Sequence, residues 1–534
     1  MRKVLVAAAL AACSASALGA EKRAAPTQVF FLADPQIHNV YGAALKQMFP
    51  VSNWVSGVAI RPPEVNLLAP LVLRHSLTRG MEQLPADNRL VVVLGDGTNI
   101  GCSGEAEVFD AAFQRSDATI RLMAHGNHDS YLMGTVNSYG PRPEDTRPLD
   151  QMNKALLPVD ETWYTATPSP VVTGTSMANR NWADGCYQPA RNGGQAGTPM
   201  NKVRWLARYA ASLEAQGLIQ TPSGTAKHEG LRFTGSAVPG TPMAALNYRS
   251  EGIWYRPKQS ATPGRSDYAR SWNSYMVQAV DLDARHTLVL IDTSVCQNAR
   301  GGASYLLNNA GQNACIGWEQ YTTLKRMLDG MADERSLIVG GHFPLNDLKG
   351  EDRKKLITLF NQARPAGWTY VSGHTHHAFT TRKYGKGVDV NIGSTTDWPM
   401  ESHVLTFAAD SAKVVDTQSL VIGTTIAQPM TYRTGKQMGG KYSELCRHLP
   451  VARALADASP ETAGTLWVSP SLTPAQCDGI QADWAKHAQA LMDDQERMSR
   501  RFDEEPRYRD LVLSVAAAAS LHEHNSFSLG KYIP

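Results

Sequence analysis

Three imidazoles fall within four residues in Gly373-His374-Thr375-His376-His377. Imidazole is a common ligand for divalent transition metals near neutral pH. A solvated His-rich turn is the plain alternative. Four further stretches follow the same design: Asp34-Pro35-Gln36-Ile37-His38, Gly95-Asp96-Gly97-Thr98-Asn99, His125-Gly126-Asn127-His128-Asp129 and Gly340-Gly341-His342-Phe343-Pro344. Each sets Asp, Asn, Gln or His among Gly or Pro turn residues. One such turn arises by chance; five in one chain point to a shared site. A metal pair held by Asp, Asn or Gln, and His suits the borderline ions Mn, Fe and Zn. One carboxylate must bridge the pair, and Asp96 is the natural choice, being the acid central in the series. Two such ions about 3.5–4 Å apart hold a hydroxide between them and clamp the oxygens of an in-line displacement, the chemistry of phosphoester hydrolysis.

The elements that must position these turns are legible beside them. Short apolar, β-branched runs at 28–33, 90–94, 119–124, 336–339 and 368–372 read as strands. The turns therefore lie at C-terminal strand ends, the usual place for sites in open α/β sheets. Further strands are expected at 275–280, 286–291, 387–392 and 404–407, and helices at 64–84, 202–216, 318–331 and 352–363. Residues 131–270 change character, with frequent Pro, Gly, Ser, Thr and Asn. They read as a long insertion over the strand ends, a substrate cap. In Leu472-Thr473-Pro474-Ala475-Gln476 an N-cap, a Pro at the first helical position and a capping-box Gln start a helix. Helices to 502 and over 506–522 make 421–534 a mostly helical appendage. The mixed charges of 493–510 read as a solvated helix face.

Composition narrows the class. The chain has 534 residues, 43% apolar and 19% charged, an ordinary globular balance. Net charge is +3, or +1 without Arg2 and Lys3 of the N-terminus, which gives no case for a standing nucleic-acid partner. Residues 1–20 read as a signal peptide, with a basic start, a short apolar run and small-residue cleavage sites. Leu10-Ala11-Ala12-Cys13 is also similar to a lipobox, so lipid anchoring at Cys13 stands beside soluble export. No run is long and apolar enough for a transmembrane helix. Of seven Cys, six follow the leader, which suggests disulfides in a periplasmic or secreted protein. Nearness in sequence favours Cys296–Cys315 and Cys446–Cys477, leaving Cys102–Cys186; buried free thiols are the alternative.

The ordered turns resemble the calcineurin-like metallophosphoesterase superfamily. Its pattern runs Asp-x-His, Gly-Asp-x-x-Asp, Gly-Asn-His-Asp/Glu, Gly-His and Gly-His-x-His. The third and fifth blocks are the specific ones, and the match covers 27–130 and 286–400. Gln36 stands where the pattern has His, with His38 as the other candidate ligand, and Asn99 stands where it has a second Asp. The resemblance implies a four-layer α/β/β/α sandwich of two mixed sheets with a dinuclear metal site at the strand ends. Its core would be 27–130 and 271–420. One divalent ion would take Asp34, Gln36, His376 and a share of Asp96; the other would take Asp96, Asn127, His342 and His374. His128 would face the phosphate and protonate or stabilise the leaving oxygen, with Asp129 orienting its imidazole. His125 is read as structural, His377 and His403 as supporting or surface residues, and Asp397 with Trp398 and Pro399 as candidate pocket lining. The implied function is an exported hydrolase of a small phosphomonoester or phosphodiester. The alternative is a metal-containing surface or periplasmic binding protein without hydrolytic activity, whose mark would be loss of Asp96 or His128; both are present. A zinc peptidase would need a His-Glu-x-x-His helix, which the sequence lacks.

Overall fold

A computed structural model describes residues 27–38, 61–86, 89–99, 101–116, 118, 120–130, 200, 202–219, 231–236, 247–254, 274–294, 314–332, 334–425, 444–462 and 472–530. The leader with Cys13, residues 131–199, Cys186 and Cys296 lie outside them.

The described strands form two mixed sheets. The first holds β1 (Thr27–Leu32), β2 (Leu90–Val93), β3 (Ile120–Met123), β12 (Glu401–Phe407) and β13 (Val414–Val421), in the order β13-β12-β1-β2-β3. The second has eight strands: β4 (Leu231–Ser236), β5 (Arg249–Trp254), β6 (Tyr275–Asp281), β7 (His286–Leu290), β8 (Ser336–Gly340), β9 (Trp368–Ser372), β10 (Thr380–Tyr384) and β11 (Gly387–Asn391). Their order is β10-β11-β9-β8-β7-β6-β5-β4. Strands β1, β2 and β3 run parallel, as do β7, β8, β9 and β11, with Phe31 beside Val92 and Val339 beside Tyr370. These are the runs of near-continuous Val, Ile and Leu that parallel strands need when both faces are covered. The five turns carrying the candidate ligands leave the C-terminal ends of β1, β2, β3, β8 and β9.

Helices α1 (Pro63–Glu82) and α2 (Ser103–Gln114) link the strands of the first sheet, and α4 (Trp318–Asp329) and α5 (Gly350–Ala363) those of the second. Between α2 and α4 in sequence lies α3 (Lys202–Ala215). One buried apolar cluster includes Phe31 and Val92 of the first sheet with Leu288 and Val371 of the second. Another joins the second sheet to α4 and α5 through Leu324, Leu356, Phe360 and Tyr370. The third holds the C-terminal helices α6 (Glu444–Asp457), α7 (Pro474–Ala482), α8 (Trp484–Glu504) and α9 (Pro506–Gly530) against Leu67, Leu68 and Leu71 of α1. Among the described residues no helix is long and apolar enough to cross a membrane.

Two expectations need correction. Within 131–270, β4 and β5 do not hang over the strand ends; they pair antiparallel into the second sheet beside β6. Helix α3 lies against the free edge of β3, where the Gln216 amide just beyond it exchanges hydrogen bonds with the Arg121 backbone (2.8 and 3.2 Å). That mimics a neighbouring strand and protects the edge. The charge run 493–510 is not simply a solvated face. Asp494 is 3% exposed and pairs with Arg453 (3.0 Å) and Arg497 (2.9 Å), while the Arg501 guanidinium lies 3.9 Å from the centre of the Tyr508 ring.

Cys446 and Cys477 are joined, tying α6 to α7 across 31 residues. Cys102 and Cys315 each belong to a disulfide too, but not to one with each other. Closing a loop of that length removes roughly 3–4 kcal/mol of unfolded-chain entropy. Cys477→Ala should therefore lower the unfolding free energy of the oxidised protein by about that much, read by urea titration. An unchanged midpoint would mean that the bridge does not constrain the unfolded chain.

Candidate metal centre

The ligand turns are strained in a common way. Asp34 (φ 53°), Gln36 (φ 40°), Asp96 (φ 55°), His374 (φ 70°) and His376 (φ 54°) all occupy the left-handed region, which side-chain-bearing residues rarely adopt. Each costs on the order of 1–3 kcal/mol, and such residues persist where surrounding structure over-determines them. Here the turns bond to one another. Asp34 N donates to Gly95 O (3.2 Å), Gln36 N to Asp96 O (2.9 Å) and His374 N to Asp34 Oδ2 (2.9 Å). The Asp96 and Asn127 turns touch at two glycines. A Cβ on Gly95, itself at φ 90°, would lie 2.8 Å from Gly126 Cα, and one on Gly126 would overlap the Asp96 carboxylate.

The side chains converge as two groups. Asp96, His342 and His374 each offer a ligand atom within 4.8 Å of the others, and so do Asp34, Asp96 and His376. Asp96 belongs to both. Its Oδ2 lies 3.3 Å from His342 Nε2 and 3.2 Å from Gln36 Nε2. Asn127 Oδ1 is 2.7 Å from His342 Nε2, and His376 Nε2 is 3.3 Å from Asp34 Oδ1. All seven predicted ligands thus meet in one place. Asp34 Oδ1 and Gln36 Oε1 are buried with no hydrogen-bond partner. Orphaned buried oxygens are costly, and a cation would satisfy both, so this donor set fits a divalent pair.

Second contacts fix which ring nitrogens face inward. His342 Nδ1–H donates to Leu94 O (2.8 Å) and His376 Nδ1–H to Asp397 Oδ2, leaving both Nε2 atoms toward the centre. The charges follow. Burial raises the Asp96 carboxyl, but the imidazoles of His342 and His128 hold it well below its usual range. Burial lowers His342, yet Asp96 and Asp34 push it up to about 9; Asp34 and Asp397 likewise push His376 up to about 10 against burial. Burial, with the neighbouring His342, keeps His374 well below its usual value. These shifts favour imidazolium beside the buried acids, and a divalent ion that bound here would have to displace those protons.

His128 donates from Nδ1 to Asn99 O (2.6 Å) and turns Nε2 toward the centre, 4.0 Å from Asp96 Oδ2. Burial lowers its pKa. Asp129 does not orient this ring as expected. Its carboxylate accepts from the backbone N–H groups of Asp96 (2.9 Å), Thr98 (3.1 Å) and Gly126 (2.9 Å), holding two ligand turns together. The backbone carbonyl of Asn99 takes the imidazole instead. His38 turns away from the ligands: its Nδ1 accepts from Asn99 Nδ2 at 2.9 Å, while Gln36 sits at the centre. His125 is buried between the hydroxyls of Ser294 (2.5 Å) and Ser130 (3.0 Å), against Trp205. His377 is exposed, and His403 lies on β12 beside Ser419 and Glu401. Sequence reasoning missed Arg61, whose guanidinium forks onto Asp397. A single Arg outside any motif carries no signal, whereas Asp397, closely following Gly393-Ser394, was at least visible.

Asp129→Ala leaves three buried N–H groups unpaired, each costing about 1–3 kcal/mol. We expect a loss of at least about 3 kcal/mol in chemical unfolding of the chelator-treated protein, against less than about 1 kcal/mol for His128→Ala. Unchanged stability with lost activity would restore Asp129 to the imidazole.

No protein-family model matches the chain, and no curated protein matches it. Among solved structures, the crystal structure of a dimetal phosphatase from Danio rerio is similar at a TM-score of 0.32 and 9% identity, covering 74% of this chain and 99% of that one. A TM-score that low leaves the geometry of the site as the ground for any reading of function.

Proposed function

We propose that the chain is a metal-dependent phosphoesterase acting on a small phosphomonoester or phosphodiester. The observation that carries this reading is the pair of ligand groups sharing the buried Asp96, with the Gln36 Oε1 oxygen beside them lacking a hydrogen-bond partner. Asp34, Gln36, His376 and Asp96 would hold one ion, and Asp96, Asn127, His342 and His374 the other. Mn, Fe and Zn all suit this donor set. When bound, such a pair neutralises phosphate charge and supplies an activated hydroxide for in-line displacement.

The protein's own groups do the rest. The Asn99 carbonyl commits Nδ1 of His128, so Nε2 is the nitrogen that meets the substrate. In the free chain burial favours the neutral ring. A phosphate anion beside it favours the imidazolium, so His128 takes up a proton with substrate and gives it to the leaving oxygen. Asp129 holds the Asp96 and Asn127 turns in register. The four-layer arrangement, a substrate-contacting role within 131–270 and export from the cytoplasm belong to the same proposal. The Cys446–Cys477 bridge supports export, since disulfides persist in oxidising compartments.

Two variants test this. Asp96→Asn should weaken both ions and abolish hydrolysis, measured as metal content and turnover; two retained ions with normal turnover would reject the bridge. His128→Ala should keep both ions and the fold. It should lose roughly 10²–10⁴-fold on alkyl esters, which need a proton on the leaving oxygen, and distinctly less on nitrophenyl esters. Equal losses would make His128 a phosphate-positioning group, and loss of metal would make it a ligand. Wild type and variant alike inert on a panel of nucleotides, phospholipid headgroup esters and aryl phosphodiesters would point to a metal-binding scaffold.

A further inference from the structure

One buried guanidinium reaches toward two of the functional histidines. Arg61 is 4% exposed. Its Nε and Nη2 donate to the two oxygens of Asp397, both at 2.8 Å, in the paired geometry that makes Arg–carboxylate contacts directional. Asp397 in turn accepts from Nδ1 of His376. The remaining arm, Nη1, donates to Asn99 Oδ1 at 3.3 Å, and the backbone carbonyl of that same Asn99 holds Nδ1 of His128. The guanidinium only donates, so it fixes the Asn99 amide with oxygen toward Arg61 and nitrogen toward His38. Arg61 itself is anchored from behind: its carbonyl accepts from Asn66 Nδ2 (3.1 Å) on α1 and Arg447 Nη2 (3.5 Å) on α6.

We propose that Arg61 is a positioning residue that sets a metal-binding imidazole and the proton-donating imidazole from one rigid fork: His376 through Asp397, and His128 through Asn99. The inference rests on the metallophosphoesterase reading of the site. It requires the planar guanidinium. A Lys ammonium carries the same charge but lacks the fork, so it can neutralise Asp397 without holding Asn99 at the same time. It is also asymmetric. His376 belongs to one ligand group, and His342 and His374 belong to the other.

The test is a Mn(II) binding isotherm on the full chain, by competition with a chelating dye, for wild type, Arg61→Met, Arg61→Lys and Asp397→Asn. Removing a carboxylate or its partner behind a ligand imidazole costs about 10–100-fold in metal affinity. We expect that loss at one of two ions for Arg61→Met and Asp397→Asn, with the other ion unchanged, and a smaller loss for Arg61→Lys. The Arg61→Met/Asp397→Asn double variant should be no weaker than the weaker single, because both act through one imidazole. The ratio of alkyl-ester to nitrophenyl-ester rates should fall in Arg61→Met and Arg61→Lys, as in His128→Ala, and stay at the wild-type value in Asp397→Asn. A residue that only holds the fold together would weaken both ions alike and leave the ratio unmoved, and either result overturns the inference. So do two ions bound with wild-type affinity in Arg61→Met. Should Arg61→Met fail to fold, Arg61→Lys and Asp397→Asn decide by the same two readouts. A wild type that binds two ions yet hydrolyses no ester overturns the enzymatic reading and the His128 arm, while ion asymmetry still tests the His376 arm. A wild type that binds no ion overturns both.

Discussion

Two carboxylates taken wholly out of water have to be compensated. Asp34 and Asp96 are each 0% exposed where the two sheets meet at their strand ends. A buried charge without a partner costs several kcal/mol, and most of the centre can be read as an answer to that cost. Hydrogen bonds from His128 N to Asp96 (2.8 Å) and from His374 N to Asp34 (2.9 Å) meet part of it. The imidazoles of His342 and His376, pushed up to about 9 and about 10, meet more. What is left over is oxygen: Gln36 Oε1 has no hydrogen-bond partner, and Asp34 Oδ1 has only the His376 imidazole, 3.3 Å away. A centre built to hold cations would be complementary to them in this sense, carrying donors which the protein alone leaves unsatisfied.

The strain follows from the same constraint. To bring acids, amides and imidazoles from five turns within reach of a common point, the chain must reverse sharply while its side chains still point inward. Left-handed backbone at Asp34, Gln36, Asp96, His374 and His376 does this. It is held by groups that need not touch an ion. Asp129 binds three backbone N–H groups, and the hydroxyls of Ser394 and Thr396 donate to Asp34 O, both at 3.1 Å. Residues around the centre thus divide into those whose side chains meet it and those which hold its backbone in place. Asp129 lies beside one of the most recognisable histidines in the chain, yet belongs to the second kind.

That division explains what was legible. The five turns stand out in sequence because the ligand types are rare in combination and each follows a continuous apolar run. Strands β1, β2, β3, β8 and β9 were legible for the same reason, since buried parallel strands are apolar throughout. Strand β10 was not, because Thr380–Tyr384 is mostly exposed and carries Arg382 and Lys383 at the sheet edge. Strands β4 and β5 lie in the Gly- and Ser-rich stretch that argued for loop, and pairing with β6 overrides that weak local preference. Arg61 and the true partners of Asp129 were invisible for a different reason. Their roles depend on contacts across 336 positions and about 30 positions of sequence, which no local pattern encodes.

The helical tail bears on the centre through α1. One side of this helix, with Ala69, Leu73, Leu77 and Met81, joins the cluster of the sheets; the other, with Leu67, Leu68, Leu71 and Val72, joins the cluster of α6 to α9. A helix apolar on both sides needs cover on both sides. The tail therefore closes the outer face of an element whose inner face packs in one cluster with β1. Arg447 reaches from α6 to the carbonyl of Arg61, the residue just ahead of α1, and Arg61 reaches on to Asp397 and Asn99. Packing from the C-terminal helices and hydrogen bonding thus meet on one short segment, 61–68. The geometry of His376 is fixed by contacts that begin in the C-terminal helices, far from any recognisable motif, so a motif can announce the ligands of such a centre without containing what holds them in position.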